Sequence, residues 1–373
     1  MTQDLGQLRQ KIDLVDTELV KLLARRKQLV ACVGEIKQAA GVPIYAPDRE
    51  KALLKARRQE AEAAGVSPDL IEDLLRRMMR ESYQAESDHG YQCAAPSLGP
   101  IVIVGGKGQM GLLFTKLFQL SGYHVASLDL DNQDQADQLL ADAKLVVISV
   151  PINQTSVIVK ELAGKMNPDC LLVDLTSRKR EPLAAMLAAH TGPVMGLHPM
   201  FGPDVSSLAK QVIVHTPGRA VQKFDWLLQQ FGLWGARLLP SEPAEHDHMM
   251  AIIQALRHFT TFAYGTYLHS ENINLKQAAE FSSPIYRLEL AMVGRLFAQD
   301  SQLYADIIFS STEGKQLIRN YIEHLQQAVK LLDENDVQGF IQQFADTSEW
   351  FGPLRERLLQ ESSTMLERQQ EHL

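Results

Sequence analysis

The feature that most constrains this chain is a double change in the period of its apolar residues. Residues 1–88 carry a helical repeat throughout, with no strand-like run. From Ile101 the texture becomes short continuous apolar runs: Ile101-Val-Ile-Val104, Leu145-Val-Val-Ile-Ser-Val150 and Cys170-Leu-Leu-Val-Asp174. Helix-length segments separate them. Runs of that kind are buried on both faces, as in a parallel sheet covered by crossover helices. Further strands are predicted at Val194–Leu197, Gln211–His215 and Gly235–Leu239. From Ser241 the pattern is helical again, beginning with Glu242–Ser270 and Glu280–Phe297. No single fold accommodates all three patterns, and 373 residues suffice for two or three domains at roughly 150 residues each. The expected organisation is an all-α domain at 1–90, a linker at 91–99, an α/β Rossmann-like domain at 100–240 and an all-α domain at 241–373. In the first zone the breaks at Gly41-Val-Pro-Ile-Tyr-Ala-Pro47 and Gly65-Val-Ser-Pro68 predict helices over about 5–39, 48–64 and 68–86.

Composition narrows the function classes. Lys and Arg total 37 against 45 Asp and Glu, a net charge of −8. That excludes a nucleic-acid binder working through a basic face, so an anionic ligand needs a local cluster of cations. Cys32, Cys93 and Cys170 show no CxxC or zinc spacing, and eleven histidines show no metal spacing. Reduced thiols and no metal are expected. No run approaches the ~18 apolar residues of a membrane span, and MTQDLGQLRQ lacks a signal core. A cytoplasmic protein without membrane partners is expected.

The first helix carries a misplaced charge. Leu5, Leu8, Ile12, Val15, Leu19, Leu22, Leu29, Val33 and Ile36 are spaced three and four apart, a coiled-coil-like seam that calls for an apolar residue at 26. Arg26 stands there instead, and a charge in an apolar seam needs a partner. Lys37, 11 positions on, falls within about 20° of the same helix face and about 16 Å along the axis. Arg9 lies about 25 Å from Arg26, too far for one small ligand, so it joins such a site only from a second copy of the chain.

The run Leu8-Arg9…Ile12-Asp13…Asp16…Leu22-Leu23-Ala24-Arg25-Arg26…Val33-Gly34-Glu35-Ile36-Lys37…Pro43…Asp48-Arg49-Glu50 resembles the all-helical chorismate mutase family. The resemblance implies a helix-swapped homodimer whose site takes Arg26, Lys37, Arg49, Glu50, Ser82 and Glu86 from one chain and Arg9 from the other. Ala46 stands where some relatives have Asp, and Glu86 where some have Gln. The pericyclic rearrangement of chorismate to prephenate asks the site to hold a reactive conformer and to stabilise charge on the breaking ether oxygen. Lys37 and Arg26 would carry that work. Glu86 would donate to the oxygen only when protonated, which predicts mutase activity falling as pH rises.

In the second zone, Ile101-Val-Ile-Val-Gly-Gly106-Lys-Gly108-Gln-Met-Gly111 places G-x-G-x-x-G between a strand and a helix. Gly106, Gly108, Gln109, Met110 and Gly111 are the candidate pyrophosphate cradle, with the helix N-terminus supplying positive potential. Asp129, about 20 residues on, fits ribose recognition and favours NAD over NADP; Asp131 on the same face is an alternative. Three further segments draw attention. Asp174-Leu-Thr-Ser177-Arg-Lys179-Arg180 puts three cations at a helix start, where they oppose the macrodipole unless an anion is near. His198 follows a strand in the turn-rich Gly196-Leu-His198-Pro-Met-Phe-Gly-Pro-Asp204, and Arg295 is the only charge between Glu289 and Asp300.

Together with Glu245-His246-Asp247…His258 and Arg295-x-x-x-x-Asp300, these segments resemble prephenate dehydrogenase over roughly 100–373. The whole chain thus resembles the fused chorismate mutase/prephenate dehydrogenases of bacterial tyrosine synthesis. The resemblance implies that His198 accepts the ring-hydroxyl proton of prephenate and that Ser177 orients that pair. Arg295 would bind a substrate carboxylate, with Lys179 and Arg287 as weaker candidates. His258 would line the pocket and help sense tyrosine, the implied feedback inhibitor. Gln254-Ala255 replaces the family's Ser-His pair, so roles tied to that pair do not transfer. Two alternatives stay open: an NAD(P)-dependent dehydrogenase of another small acid, and a catalytically silent N-terminal module for dimerisation or effector binding.

Overall fold

In a computed structural model that describes residues 4–370, the chain divides into two compact units, Met1–Ala244 and Glu245–Leu373. The first unit opens with three helices, α1 (Leu5–Ala40), α2 (Pro47–Ala63) and α3 (Pro68–Asp88). Their limits follow from local chemistry. The Asp4 carboxylate caps α1 by accepting from the Gly6 N–H, and Gly41, at φ +65°, ends it in the left-handed region that glycine tolerates. Pro47 opens α2, while Ser67 caps α3 with Pro68 in its first turn. The helix α3 packs against both α1 and α2. The predicted α1 seam, however, finds no cover among the described residues: Leu5, Ile12, Val15, Leu22, Leu29 and Ile36 all stay about 60% exposed or more.

The sheet has seven strands: β1 (Ile101–Val104), β2 (Val125–Leu128), β3 (Leu145–Ile148), β4 (Leu171–Asp174), β5 (Val194–Pro199), β6 (Val212–Arg219) and β7 (Arg237–Pro240). Their order is β2-β1-β3-β4-β5-β6-β7. Helices α4 (Gln109–Leu120), α5 (Ala136–Asp142), α6 (Ile152–Leu162), α7 (Arg180–Ala189) and α8 (Asp225–Leu233) connect them. The central strands β1, β3 and β4 are buried along their whole length, as continuous apolar runs require. One expectation is corrected. The β5–β6 pair is antiparallel, with His198 opposite Val214. The connection, residues 200–211, contains no helix, and parallel pairing needs a crossover. An apolar run reveals burial but not direction.

The polar stretch at 91–99 is packed rather than loose. Tyr91 is buried against Trp234, the Ala94 N–H donates to Gln230 Oε1 at 2.9 Å, and the Ala95 N–H donates to the Tyr123 hydroxyl at 3.1 Å. Ile44, from the break between α1 and α2, is buried in the same apolar cluster as Trp234 and Phe231. The N-terminal helices and the sheet therefore share a core.

The second unit is helical: α9 (Pro243–Met250) leads into a π-helical turn at Ala251–Leu256 and α10 (Arg257–Ser270). Then come α11 (Leu275–Glu280), α12 (Pro284–Phe297), α13 (Ser301–Phe309), α14 (Thr312–Asp333), α15 (Val337–Phe351) and α16 (Leu354–Gln370). The departure at Gln254-Ala255 falls inside the π turn. No residue of α15 is buried, and Phe344 and Trp350 stand exposed on it. Among the described residues, no helix is long and apolar enough to cross a membrane and no cluster could hold a metal.

Candidate active sites

The charge at position 26 finds its partners on α3. Arg26 donates to Ser82 Oγ at 2.8 Å and to the Met78 carbonyl at 3.4 Å. Further along the same face, Lys37 Nζ donates to Glu86 Oε2 at 2.8 Å and to the Ile44 carbonyl at 2.9 Å. Ser82 and Glu86 are buried and lie one helical turn apart, so the two cations meet two acceptors in register. A cavity of about 570 Å³ between α1 and α3 is lined by Arg26, Ser82, Met78 and Ala85. In this arrangement Glu86 is an acceptor, not a donor.

Glu50 is also buried and sits beside the same helix. It accepts from the Tyr83 hydroxyl at 2.6 Å, from Lys210 Nζ at 2.5 Å and from Arg76 at 3.4 Å. Burial opposes its charge, but the bonds from Lys210 and Tyr83 and the charges of Lys210 and Arg76 prevail and hold its pKa below the usual carboxylate value. Burial beside Glu50 pushes the Tyr83 phenol far up, so it donates and does not ionise. Arg9 and Arg49 stand exposed. The residues that sequence reasoning missed are Tyr83, Arg76 and Lys210. Lys210 is 160 positions from Glu50, and no periodicity links them.

At the C-terminal ends of β1 and β3 the glycine loop forms a cradle. This is the point where connections from β1 and β3 leave in opposite directions across the sheet, the usual place for a nucleotide. A Cβ on Gly111 would lie 2.3 Å from the Gly105 carbonyl oxygen, and one on Gly106 would lie 2.3 Å from Ser127 Oγ. Only glycine lets α4 start this close to the strand. Gly108 is the N-cap of α4, and Gln109 and Met110 form its first turn. The adjoining cavity of about 460 Å³ is lined by Gly105, Gly108, Asp129, Leu130, Val150 and Pro151, among others. Asp129 accepts from the Lys107 N–H at 3.2 Å and from Ser127 Oγ. Asp131 instead pairs with the Lys107 ammonium and does not line the cavity. Geometry therefore favours Asp129.

His198 lies buried at the end of β5, and Ser177 is half-buried in the turn between β4 and α7. Lys179, expected as a secondary carboxylate ligand, is placed otherwise. It is fully buried, donating to Asp174 Oδ2 at 2.5 Å and to the Leu197 carbonyl at 2.6 Å. A charge committed to those groups braces the strand end next to His198 and presents no surface to a substrate. The anion that the sequence called for beside these cations is, for Lys179, the chain's own Asp174. Nearby, burial lowers the His215 pKa, and its Nδ1 has no hydrogen-bond partner.

In the second unit, Arg295 stands exposed on α12 and forms no ion pair among the described residues. Arg287 is partly committed, with Nε donating to the Ala279 carbonyl and Ser282 Oγ, both at 3.1 Å. His258 packs edge-on to Tyr304 with ring centroids 4.8 Å apart, and burial followed by the Arg257 charge lowers its pKa.

A helical cluster built for an anion and a sheet built for a dinucleotide define a two-function chain, a helical mutase fused to a nucleotide-dependent dehydrogenase. Family comparison gives the same division. The model for chorismate mutase type II matches residues 8–87, that for the prephenate dehydrogenase nucleotide-binding domain matches 121–239, and that for the prephenate dehydrogenase dimerization domain matches 242–346. The chain is 56% identical to the T-protein of Enterobacter agglomerans over 98% of both chains. It is 50% identical to that of Haemophilus influenzae over 97% of this chain and 96% of the other. The chain belongs to the T-protein family: it is a bifunctional chorismate mutase and prephenate dehydrogenase of tyrosine biosynthesis. Among solved structures, prephenate dehydrogenase from A. aeolicus in complex with hydroxyphenyl propionate and NAD+ superposes with a TM-score of 0.56 at 17% identity. That match covers 70% of this chain and 99% of the other, a likeness of fold.

Proposed function

We propose that the α1–α3 helices rearrange chorismate to prephenate through Arg26, Lys37, Arg49, Glu50, Ser82 and Glu86, with Arg9 supplied by a second copy. The observation that carries this reading is the register of Arg26 on Ser82 and Lys37 on Glu86. The cations meet the two carboxylates of chorismate, and Lys37 donates to the ether oxygen as negative charge grows there. Ionised Glu50 accepts from the ring hydroxyl. Glu86 accepts from Lys37 Nζ and so orients that donor toward the ether oxygen. The exposed α1 seam supports pairing with a second copy, which would bury the apolar face and bring Arg9 across.

The region 100–373 then converts prephenate to 4-hydroxyphenylpyruvate. The cradle of Gly106, Gly108, Gln109, Met110 and Gly111, with Asp129 for the ribose, fits NAD, which when bound supplies the acceptor for the hydride leaving the hydroxyl-bearing ring carbon. Neutral His198 takes the hydroxyl proton, Ser177 orients it, and Lys179 holds the strand end from behind. Carbon dioxide departs, its bonding electrons complete the aromatic ring, and the ring oxygen takes its proton back from His198. Arg295 binds a substrate carboxylate and Arg287 shapes its surroundings. His258 lines the pocket and takes part in feedback inhibition by tyrosine. The enzyme works as a homodimer in the cytoplasm, with functional regions 1–90, 100–240 and 241–373 and a linker at 91–99 between the first two.

Two assays on one purified chain test this reading. Chorismate should disappear without NAD, and supplied prephenate should yield NADH. Sedimentation should give a dimer. A chain that reduces NAD with prephenate yet leaves chorismate untouched would return the N-terminal helices to the silent-module reading.

A further inference from the structure

We propose that Lys210, from the dehydrogenase part of the chain, is a positioning residue of the mutase, holding the Glu50 carboxylate in place for chorismate. This rests on the reading of Glu50 as a chorismate ligand. Lys210 lies near the end of the 200–211 connection, which begins after the strand that carries His198. Its φ of +70° lies in the left-handed region, which costs a non-glycine residue strain and is kept where the side chain has a task. A glycine would sit there more easily but would carry no ammonium.

The backbone around it is fixed so that the ammonium reaches across. The Lys210 N–H donates to the Gly235 carbonyl at 3.0 Å, and a Cβ on Gly235 would lie 2.9 Å from Ile44 Cγ1. Ser87 Oγ and Ser207 Oγ lie 3.2 Å apart, and the Ile44 N–H donates to the Leu233 carbonyl at 3.4 Å. From this dock Lys210 Nζ lies 5.4 Å from the Tyr45 ring centroid and 5.9 Å from that of Tyr83. Its bond to Glu50 is the shortest that this carboxylate receives.

The other groups facing Glu50 do less to hold its charge. Arg76 on α3 is 3.4 Å away and is mainly committed to Glu72, at 2.6 Å. Tyr83, also on α3, donates a neutral hydrogen bond and itself feels Glu86. Tyr45, from the break between α1 and α2, feels the Glu50 charge, which raises its own pKa, and the opposing charge of Arg237. Glu50 is only 8% exposed and the Lys210 side chain covers its solvent side, so water entering in place of Lys210 would hydrate the carboxylate but bring no positive charge.

The test uses the full-length chain with Lys210→Met, Lys210→Gln and Lys210→Arg, each checked for thermal unfolding and NAD binding. Chorismate consumption is followed from pH 4 to 8.5. Without the ammonium, the acid limb of mutase kcat/KM should move up by about one pH unit. Activity at pH 5 should then fall roughly two- to three-fold, while activity above pH 7 stays nearly unchanged. Lys210→Arg should restore both. The shift should vanish in a Glu50→Gln background, where a purely structural role of Lys210 would persist. An unmoved acid limb in folded Lys210→Met and Lys210→Gln overturns the inference, as does a pH-independent loss that Lys210→Arg does not rescue. If Glu50→Gln alone keeps full mutase activity, the reading of Glu50 fails, whatever Lys210 does.

Discussion

Replacing Lys37 with alanine separates the two activities. Lys37 Nζ makes two bonds, to Glu86 Oε2 at 2.8 Å and to the Ile44 carbonyl at 2.9 Å, with side-chain exposures of 21% for Lys37 and 6% for Glu86. Alanine removes the donor that meets the breaking ether oxygen. By analogy with the loss of a single oxyanion donor, mutase kcat should fall about 10²–10³-fold, or ~3–4 kcal/mol of transition-state stabilisation. It also strands the buried Glu86 carboxylate. Water reaches the Lys37 side, so this cost is nearer that of one charged hydrogen bond, about 1–3 kcal/mol. For a unit of 244 residues that lowers Tm by roughly 2–12 °C, too little to unfold the chain at 25 °C. The assay is chorismate loss without NAD, followed by NADH formation from supplied prephenate. Mutase loss with prephenate turnover within two-fold of the parent is expected. Undiminished chorismate conversion would refute the assignment of Lys37, and equal loss of both activities would show a folding defect instead.

Three other outcomes follow from the geometry. His198→Asn should lower prephenate oxidation by orders of magnitude while NAD affinity, measured by fluorescence titration, stays near that of the parent. Arg295→Gln should raise the prephenate KM strongly with chorismate conversion kept; an unchanged KM would remove its carboxylate role. The third concerns pH. Burial holds the folded His215 pKa below the ordinary value, so above about 6.5 neither the folded nor the unfolded form carries the proton. As pH falls below that, the unfolded chain alone gains a proton and stability drops. Urea midpoints between pH 7 and 5.5 should therefore fall less in His215→Leu than in the parent.

Much of this was legible from residue patterns, and what was not legible shares a cause. Arg26 announced itself by breaking a three-four repeat, and the helical period placed Lys37 on the same face. Both then met α3 acceptors. Helix limits were readable because Asp4, Gly41, Pro47 and Ser67 act within one turn of themselves. The direction of β6 was not, since an apolar run reports burial on either strand sense. The three cations at 178–180 looked alike in sequence, yet Lys179 is buried against Asp174 because the chain folds back over it. The polar composition of 91–99 hid the anchor Tyr91, and the Lys210–Glu50 bond joins residues that only tertiary structure brings together. Local chemistry is readable along the chain, whereas partnerships across it are not.

The central claim is that one chain carries both reactions in sequence. The direct measurement is to mix the purified protein with chorismate and NAD⁺, with no other enzyme, and to follow NADH and 4-hydroxyphenylpyruvate together. The account predicts both products in equal amounts, with Lys37→Ala failing on chorismate but working on prephenate. NADH formed from prephenate and none from chorismate in the unsubstituted chain would contradict it.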